Sequence, residues 1–425
     1  MSRMLDSEEA ARRLGVKLAT LYAYVSRGML PSYRTPDGRR SLFDLADVER
    51  LSKRSRADRP VEGRLATVTT AVTHLREDGP AYRGHAAVEL AGTSTFEDVA
   101  DLLWAVEAED GGSWWSAPLD PAPTMAAADL LCWAILLCGA RDPLRSDLRP
   151  GAVVRKARRA IASAVAALPG SGTPSATPRL DRDGGGSRAV DAGDAHGSIA
   201  ERLVTRWSPG ERAEGTNLPR LVRAVDAALV LLADHELATS TVAVRVAAST
   251  RADLYNALLS GLATLSGPLH GGASLLAHTL LADAWRDGPE QALGHAMRHH
   301  GVLPGFGHAL YERGDPRCGV LLGAVGDVAS AERQALIDSV VGLARSHGMP
   351  PPNIDLALAA LTWAADLPPD FGVTLFSVAR MAGWTAHYLE ELGEPPLRFR
   401  ARAVYATPRG VVLPAPGHGA RAPGA

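Results

Sequence analysis

Apolar residues recur at helical spacing over most of the chain after Val61. The stretch from Thr124 to Leu168 is rich in Ala and Leu at this spacing, and the same pattern returns after Ser198 and continues almost to the end. Runs that alternate β-branched and polar residues, as half-buried strands do, are few. We therefore predict a body that is mainly α-helical, with the Ala/Leu-rich stretch in a bundle core.

Residues 1–54 show a different pattern. It predicts a helix over Ser7–Leu14, capped by its first residue, and a second helix over about 17–27 that closely spaced Gly and Pro residues end. Asp37-Gly38 predicts a hairpin between 33–34 and 41–43, and a third helix is expected over 44–51. This is the order of elements in a winged helix-turn-helix module.

Charge sets the same module apart. Residues 1–60 hold thirteen Lys+Arg against eight Asp+Glu, a net of +5, which leaves −7 for the rest of a chain whose net charge is −2. The segment SEEAARRLGVKLATLYAYVSRGMLPSYRTPDGRRSLFDLADVERL resembles the modules of MerR and excisionase type. The resemblance implies DNA binding, with side chains in the major groove and wing side chains on phosphates. The major-groove residues would be Thr20, Tyr22, Ser26 and Arg27, and the wing residues Arg39 and Arg40. A helical appendage or dimer-contact module with a solvated basic face is the alternative.

Composition narrows the class of protein. Hydrophobic residues make up 46% and charged residues 22%, with no apolar run long enough to cross a bilayer and no charged-then-apolar leader, so we expect a cytoplasmic protein without membrane contact. Cys132, Cys138 and Cys318 lack CxxC spacing and indicate neither a disulfide framework nor a zinc site. The Gly- and Ser-rich tract over 170–197 is predicted to be a flexible surface insertion.

Three polar clusters lie beside glycines or at predicted helix ends, as functional residues often do. The first is SGPLHGGAS, residues 266–274, in which glycines around His270 allow close approach of a ligand. Taken alone, a histidine in this setting is either functional or a structural capping residue. The second is LPGFGHALYERGDPRC, residues 303–318, with His308 and with Arg317 after a turn that can aim its guanidinium at a carboxylate.

The third cluster is PPNIDLALAAL, residues 351–361. By itself Asp355 fits an ordinary first-turn residue of an Ala/Leu-rich helix. Together the three clusters supply a carboxylate and two histidines, residue types that can serve in general acid–base chemistry. This chemistry needs no metal or cofactor, and no HExxH or carboxylate cluster is present. The adjacent His299 and His300 are expected at the surface.

The strings GPLHGGA, PGFGH followed by DPR, and PNID resemble the active-site segments of citrate synthases. The resemblance implies large and small helical domains and a reaction between acetyl-CoA and oxaloacetate. It implies that His270 stabilises the enol, that His308 protonates the oxaloacetate carbonyl and that Asp355 is the base. Arg317 would hold a carboxylate, and Gly305, Phe306 and Gly307 would lie beside the CoA nucleotide.

Further segments extend the resemblance. DHELATSTVAVRVAAST, residues 234–250, implies that His235 binds oxaloacetate; residues 376–391 supply Arg380; and FRARAVY, residues 399–405, implies that Arg400 reaches the substrate of a neighbouring subunit in a homodimer. The chain departs from the family pattern with Ala238 and Ser274 where Asn is usual, and with Ala401 where Pro is usual. These departures put substrate choice and efficiency in more doubt than the reaction class.

The predicted organisation follows from these segments. It comprises the winged module (1–54), a linker (55–60), the first part of the large domain (61–265), a catalytic region with the small domain (266–375), a return to the large domain with a dimer-contact segment (376–405), and a disordered tail (406–425). We expect a citrate synthase of the tricarboxylic acid cycle. The alternatives are a 2-methylcitrate synthase that uses propionyl-CoA, and a DNA-binding regulator that senses CoA esters or oxaloacetate with a synthase-like body.

Overall fold

The computed structural model resolves the chain into two compact units, Met1–Thr67 and Val68–Ala425. The residues that the structure describes are 4–14, 21, 25, 30–35, 41–45, 47–48, 68–106, 115, 125–169, 197–207, 217–267 and 270–399. The predicted linker, nearly all of the predicted insertion, and the predicted tail lie outside these ranges. The finer domain boundaries therefore stay predictions.

The N-terminal unit combines a small sheet with helical turns. Its described elements are β1 (Met4–Asp6), α1 (Ser7–Leu14), β2 (Tyr33–Arg34) and β3 (Ser41–Asp44), with the antiparallel strand order β1-β3-β2. Leu21 and Val25 are helical. The small core of this unit is made of buried apolar side chains: Leu5, Ala10, Ala11, Leu21, Leu30, Phe43 and Val48.

Two predictions for this unit are confirmed. Helix α1 has the predicted bounds, and the hairpin pairs Tyr33 with Leu42 in antiparallel register. The cap is different from the one predicted, because the N–H of Glu9 donates to Oδ1 of Asp6 over 2.8 Å. Strand β1 was not predicted. The six candidate DNA-contacting residues, Thr20, Tyr22, Ser26, Arg27, Arg39 and Arg40, lie outside the described residues.

The body begins with a second antiparallel sheet in the order β4-β5-β6, formed by Thr73–Arg76, Gly79–Tyr82 and His85–Ala86. Arg83 and Gly84 make the turn between β5 and β6 with positive φ angles of 44° and 96°. Two helices follow, α2 (Ala87–Thr93) and α3 (Phe96–Trp104). Thr95 and Asp98 form a capping box at the start of α3.

Helices make up nearly all the rest of the described body, so the mainly α-helical prediction is confirmed. The first six are α4 (Ala127–Arg141), α5 (Pro150–Ala167), α6 (Ile199–Trp207), α7 (Leu218–Leu232), α8 (Thr239–Ser249) and α9 (Leu254–Leu265). The remaining six are α10 (Ala273–Asp287), α11 (Pro289–His300), α12 (Pro316–Gly326), α13 (Ala331–Ser346), α14 (Ile354–Ala364) and α15 (Phe371–Leu392).

Helix α15 is the axis of the large core. It packs against α3, α5, α7, α8 and α9, and most of its side chains from Phe371 to Tyr388 are buried. Helices α10 to α14 pack mainly on one another, with α14 against both α10 and α12. The two groups meet where α12 contacts α7 and α2 and where α10 and α14 contact α15. Among the described residues, no helix is long and apolar enough to cross a membrane.

Candidate active site

The loop that carries His308 and the segment that carries Asp355 are joined by backbone and side-chain hydrogen bonds. Gly307 N–H donates to the carbonyl of Pro351 over 2.7 Å, and Asn353 N–H donates to the carbonyl of Gly305 over 2.9 Å. The side-chain amide of Asn353 also donates to the carbonyl of Gly307 over 2.7 Å. These bonds fix the two predicted catalytic segments relative to each other.

Gly305 makes this close approach possible. Its φ of +82° is in the left-handed region, and a Cβ at this position would lie 2.9 Å from Cβ of Leu356 and 3.0 Å from Cβ of Ala277. A side chain would therefore suffer both backbone strain and a steric clash. The loop can pass over the start of α14 only because residue 305 lacks a side chain.

Asp355 lies in the first turn of α14. Its N–H donates to Oδ1 of Asn353 over 3.0 Å, which makes Asn353 the cap of this helix. The carboxylate has no hydrogen-bond partner in the described part of the chain. Burial raises the pKa of Asp355 to about 6, although the positive charges of Arg317 and Arg380 act in the opposite direction. A carboxylate with this pKa is charged at neutral pH and is a stronger base than an exposed one.

His308 has a defined proton position. The N–H of Leu310 donates to Nδ1 of His308 over 3.1 Å, so Nδ1 carries the lone pair and the proton of the neutral ring is on Nε2. Burial lowers the pKa of His308, and the nearby Arg317 lowers it further. At neutral pH the ring is therefore a neutral hydrogen-bond donor through Nε2.

His235 lies against the same group. Its ring centroid is 5.5 Å from that of His308, and its Nε2 is 3.1 Å from the hydroxyl of Tyr311. Burial lowers the pKa of His235, and the charges of Arg317 and Arg380 add to this effect. The structure thus brings both predicted oxaloacetate-side histidines together as neutral rings.

Arg317 is buried and forms a bidentate pair with Asp315. Nε donates to Oδ1 over 2.9 Å and Nη2 donates to Oδ2 over 2.8 Å. Asp315 also caps α12 and accepts the N–H of Ile354 over 3.0 Å, so it ties the start of α12 to the start of α14. The turn before Arg317 aims its guanidinium at a carboxylate, as predicted, but that carboxylate belongs to the protein.

Arg380 is a buried residue of α15. Its Nε donates to the carbonyl of Leu232 over 3.0 Å, and its guanidinium lies 4.6 Å from the ring centroid of Phe376. Burial lowers the pKa of Arg380 to about 10, even though Asp234 favours the charged form. The group remains charged at neutral pH, and Leu232 is its hydrogen-bond partner among the described residues.

His270 also lies near Phe376. The ring centroids of these two residues are 6.3 Å apart, and Nε2 of His270 lies 2.9 Å from the hydroxyl of Ser240 near the start of α8. Burial lowers the pKa of His270, and Arg380 contributes to the shift. This shift favours the neutral ring, which keeps one N–H that can be donated.

A cavity of about 320 Å³ lies between α11 and α13. Its apolar lining includes Leu303, just before the His308 loop, and Met349, just before the Asp355 segment. None of the three predicted catalytic side chains lines it. The chemistry described above therefore lies outside this cavity.

Sequence reasoning missed several side chains of the site. Ser240 and Tyr311 contact the histidines, Asp315 pairs with Arg317, and Phe376 lies near both His270 and Arg380. Asn353 at a helix start was a usable signal, because Asn is a preferred cap. The contacts of Ser240 with His270 and of Tyr311 with His235 join residues far apart in the chain and have no local signature.

Three residues named in the sequence predictions are not among the described residues of this site. Arg400 lies outside the described residues. His299 and His300 are exposed at the end of α11, and the described residues contain no group of His, Cys, Asp or Glu side chains that could hold a metal ion.

The site combines neutral histidines and buried guanidinium groups with a carboxylate whose pKa is raised. This combination suits acid–base chemistry. The sequence profile of the citrate synthase C-terminal domain matches residues 120–402, and a helix-turn-helix domain profile matches residues 4–55. The chain belongs to the citrate synthase family of transferase-type enzymes, and it carries an N-terminal helix-turn-helix module.

Named relatives and a solved structure agree with this membership. The chain is 29% identical to citrate synthase 2 of Bacillus subtilis (strain 168), over 83% of this chain and 96% of the relative. It is also 29% identical to 2-methylcitrate synthase 2 of Corynebacterium glutamicum, over 73% of this chain and 84% of the relative. It shares its fold with citrate synthase of Thermoplasma acidophilum, solved with carboxymethyl coenzyme A and oxaloacetate. The TM-score is 0.59 at 19% identity, over 85% of this chain and 98% of that structure.

Proposed function

We propose that this protein condenses acetyl-CoA with oxaloacetate and water to give citrate and CoA. Asp355 removes a proton from the acetyl methyl group. A thioester methyl is a very weak acid, so the carboxylate needs the help of a donor to the thioester carbonyl as negative charge develops. His270 is that donor, and its contact with Ser240 orients the ring.

The acceptor is the ketone of oxaloacetate. The enol carbon attacks the ketone carbon, and negative charge develops on the ketone oxygen. His308 offers an Nε2–H donor because Leu310 occupies Nδ1, and it supplies a proton to that oxygen. Water then cleaves the thioester of the condensed product and releases CoA and citrate.

Oxaloacetate carries two carboxylates, and the site offers cations and donors to bind them. His235, Arg317, Arg380 and Arg400 are the proposed binding residues. Arg380 is the strongest candidate among the described residues, because it is buried, charged and hydrogen-bonded to the protein through Nε alone. Arg317 would contribute Nη1, since its other two donors face Asp315. No metal or cofactor is needed for this chemistry.

The CoA nucleotide is proposed to lie beside Gly305, Phe306 and Gly307. Both glycines have positive φ, and the backbone of this loop is held against the Pro351–Asn353 segment. A rigid loop without side chains at two positions permits close contact between backbone groups and a ligand. The solved relative from Thermoplasma acidophilum contains both a CoA analogue and oxaloacetate.

The observation that carries this proposal is Asp355. Its pKa is raised to about 6. Asn353 accepts the N–H of Asp355 and donates to Gly307, so it joins the Asp355 segment to the loop of His308. The test is release of CoA thiol from acetyl-CoA and from propionyl-CoA, with and without oxaloacetate, with mass spectrometry of the product. We expect oxaloacetate-dependent release that is faster with acetyl-CoA, and no release by Asp355→Asn.

Asp327→Asn is the matched control, because it neutralises an exposed carboxylate at the end of α12. It should keep full activity. Retained turnover in Asp355→Asn would refute its role as the base. Absence of CoA release from both donors would refute the enzyme proposal itself.

The second candidate function is 2-methylcitrate synthesis. It is favoured by the relative from Corynebacterium glutamicum, which is as similar in identity as the citrate synthase relative. One methyl group changes the discrimination in an apolar pocket by only about 1–3 kcal/mol, so the same catalytic residues would serve both donors. A clear preference for propionyl-CoA in the thiol-release assay would select this function.

The N-terminal module is proposed to bind DNA through Thr20, Tyr22, Ser26, Arg27, Arg39 and Arg40. Its basic charge and its helix-turn-helix profile support this. A regulator that senses CoA esters or oxaloacetate would shift DNA in a ligand-dependent way and release no CoA. A mobility-shift assay with and without oxaloacetate and acetyl-CoA separates this alternative from an enzyme with a passive appendage.

We also propose a cytoplasmic homodimer with shared sites, in which Arg400 serves the partner's substrate. Mixing two inactive variants, Asp355→Asn and Arg400→Ala, tests this directly. In a mixed dimer one site would combine an intact Asp355 with an intact Arg400 from the partner, so activity should return after subunit exchange. If the mixture stays inactive although mixed dimers form, the sites are not shared.

A further inference from the structure

One face of α15 holds the chain segment that leads into His235. Arg380 donates to the carbonyl of Leu232 over 3.0 Å, and the N–H of Gly383 donates to the carbonyl of Ala233 over 3.0 Å. Next along this face, His387 contacts Asp234, with Nε2 and Oδ2 3.2 Å apart. Positions 380, 383 and 387 share one side of a helix, so about two turns of α15 hold three successive residues, 232 to 234, in place.

The close approach depends on Gly383. A Cβ at this position would lie 2.2 Å from Oδ1 of Asp234 and 2.5 Å from the carbonyl oxygen of Ala233. The side chains of Asp234 and His387 are both fully buried, so water cannot replace their contact. Residues 232–234 are thus packed closely against α15 and cannot move toward it.

The proton in the His387–Asp234 contact can be assigned. Nη1 of Arg245 lies 3.0 Å from Nδ1 of His387, and a guanidinium can only donate. Nδ1 therefore accepts, and the N–H at Nε2 is donated to Asp234. Arg245 is itself held by Glu390 and Glu391 over 2.6 and 2.9 Å.

Asp234 passes this constraint to His235. Its Oδ2 also accepts the N–H of Glu236 over 3.1 Å, which closes a turn with His235 at its centre. Glu236 has a φ of 54°, a left-handed conformation that non-glycine residues rarely adopt. The carboxylate of Asp234 therefore stabilises an unfavourable backbone bend, and that bend directs the imidazole of His235 toward Tyr311 and His308.

We propose that His387 is a positioning residue for His235 and acts through the carboxylate of Asp234. It does not touch the reacting atoms. It donates the hydrogen bond that orients Asp234, and Asp234 shapes the turn around the histidine that binds oxaloacetate. The inference rests on the proposed function for its choice of ligand, since oxaloacetate is the molecule that His235 is proposed to bind.

Two polar variants separate the two contacts of His387. His387→Asn places its amide near the position of Nδ1 and loses the donor to Asp234. His387→Gln places an amide N–H near the position of Nε2 and keeps that donor. A buried hydrogen bond lost from one partner changes equilibria by roughly five- to 150-fold, so we expect the Asn variant to raise both the KM and the Kd for oxaloacetate about tenfold or more. The Gln variant should stay within about threefold of the natural protein, and the KM for acetyl-CoA should be unchanged in both.

Tyr388→Phe is the matched control. It removes a buried hydrogen bond, from the Tyr388 hydroxyl to the carbonyl of Ala252, at the adjacent position of α15. It should lower thermal stability without a selective change in oxaloacetate binding. If His387→Asn behaves like Tyr388→Phe, or if the Asn and Gln variants are equally impaired, His387 is only a structural residue and the proposal fails.

A double-mutant cycle tests the route through His235. The effect of His387→Asn on oxaloacetate Kd should nearly disappear in a His235→Ala background, because the group that it positions is absent. A full effect in that background would overturn the proposal.

If the natural protein does not bind oxaloacetate, the proposed function fails instead. Positioning can still be judged by the imidazole ¹⁵N resonances of His235, which should shift in the Asn variant and not in Tyr388→Phe. Unshifted resonances in the Asn variant would refute it.

Discussion

The side-chain amide of Asn353 donates to the carbonyl oxygen of Gly307 over 2.7 Å. The other side-chain atom of the same amide, Oδ1, accepts the N–H of Asp355 over 3.0 Å. One side chain therefore joins the loop before His308 to helix α14, whose first turn contains Asp355. Any opening of the site must move these two segments together or break a buried contact.

Substitution of Asn353 tests this connection. Asn353→Asp keeps an oxygen that can cap α14 but loses the donor to Gly307, so kcat/KM should fall about tenfold or more while stability changes less. Asn353→Ala loses both and should also lower the free energy of unfolding by about 1–2 kcal/mol. Asn217→Ala is the control, because it removes only the cap of α7. Full activity in Asn353→Asp would contradict the connecting role.

Neutralising Asp355 should stabilise the protein at alkaline pH. Burial raises the folded pKa to about 6, above the unfolded value of about 3.9, so the stability gained from the protonated form is complete below pH 3.9 and is lost as pH rises through 6. Asp355→Asn keeps the shape and removes this loss. We expect a gain on the order of 1–3 kcal/mol in urea denaturation at pH 8 and none near pH 4. Asp327→Asn should show no gain at either pH.

The same pKa sets the acid limb of the pH–rate profile. Because the base must be charged, kcat/KM should fall about tenfold per pH unit below about pH 6, and a stopped assay over pH 4.5–8.5 measures this. Burial lowers the pKa values of His235, His270 and His308, which favours their neutral rings. An acid limb centred near pH 4 would mean that an exposed carboxylate, rather than Asp355, is the base.

Substitutions at two glycines with positive φ, Gly301 and Gly305, distinguish the effect of backbone strain from that of a steric clash. Gly305→Ala adds a Cβ 2.9 Å from Leu356, whereas Gly301→Ala adds one with nothing within 4 Å. Gly301→Ala should cost about 1–2 kcal/mol of stability from backbone strain alone. Gly305→Ala should cost about 1–3 kcal/mol more and should impair activity, because the loop cannot close over α14. Equal losses of stability and activity in the two variants would argue against the packing role of Gly305.

Ala238 leaves the start of α8 without a side-chain cap, with φ −54° and ψ 156°. Ala238→Asn restores the residue usual in the family and should raise the free energy of unfolding by about 1 kcal/mol, measured by urea denaturation. Ala126→Asn is a matched control at the uncapped start of α4, where φ is −62° and ψ is 151°. Both variants should gain stability, and only Ala238→Asn should lower the KM for oxaloacetate. A KM change in Ala126→Asn would show a nonspecific effect.

The sequence predicts the elements that rest on local chemistry. The hairpin pairing of 33–34 with 41–43 and helix α1 each depend on turn or cap residues within a few positions, and both are found. The small sheet of β4 to β6 escaped prediction because its strands are two to four residues long. Such short strands leave too few positions for an alternating pattern to be visible.

The candidate site shows the same limit. His270, His308 and Asp355 stand in distinctive strings, whereas the partners that set their protonation and orientation come from distant positions. Ser240 is 30 residues from His270, and His387 is 153 residues from Asp234. Contacts over such separations are created by helix packing, and no local pattern encodes them.

The contacts of residues 232–234 with α15 limit which sequence changes the site around His235 can accept. A residue inserted between Arg380 and His387 would rotate one contact by about 100° relative to the other, and any side chain at position 383 would collide with Asp234. Evolutionary changes in substrate preference are therefore not expected at the positions of α15 that hold residues 232–234. They are left to positions such as Ala238 and Phe376, where a side chain can be exchanged without moving the backbone that aims His235.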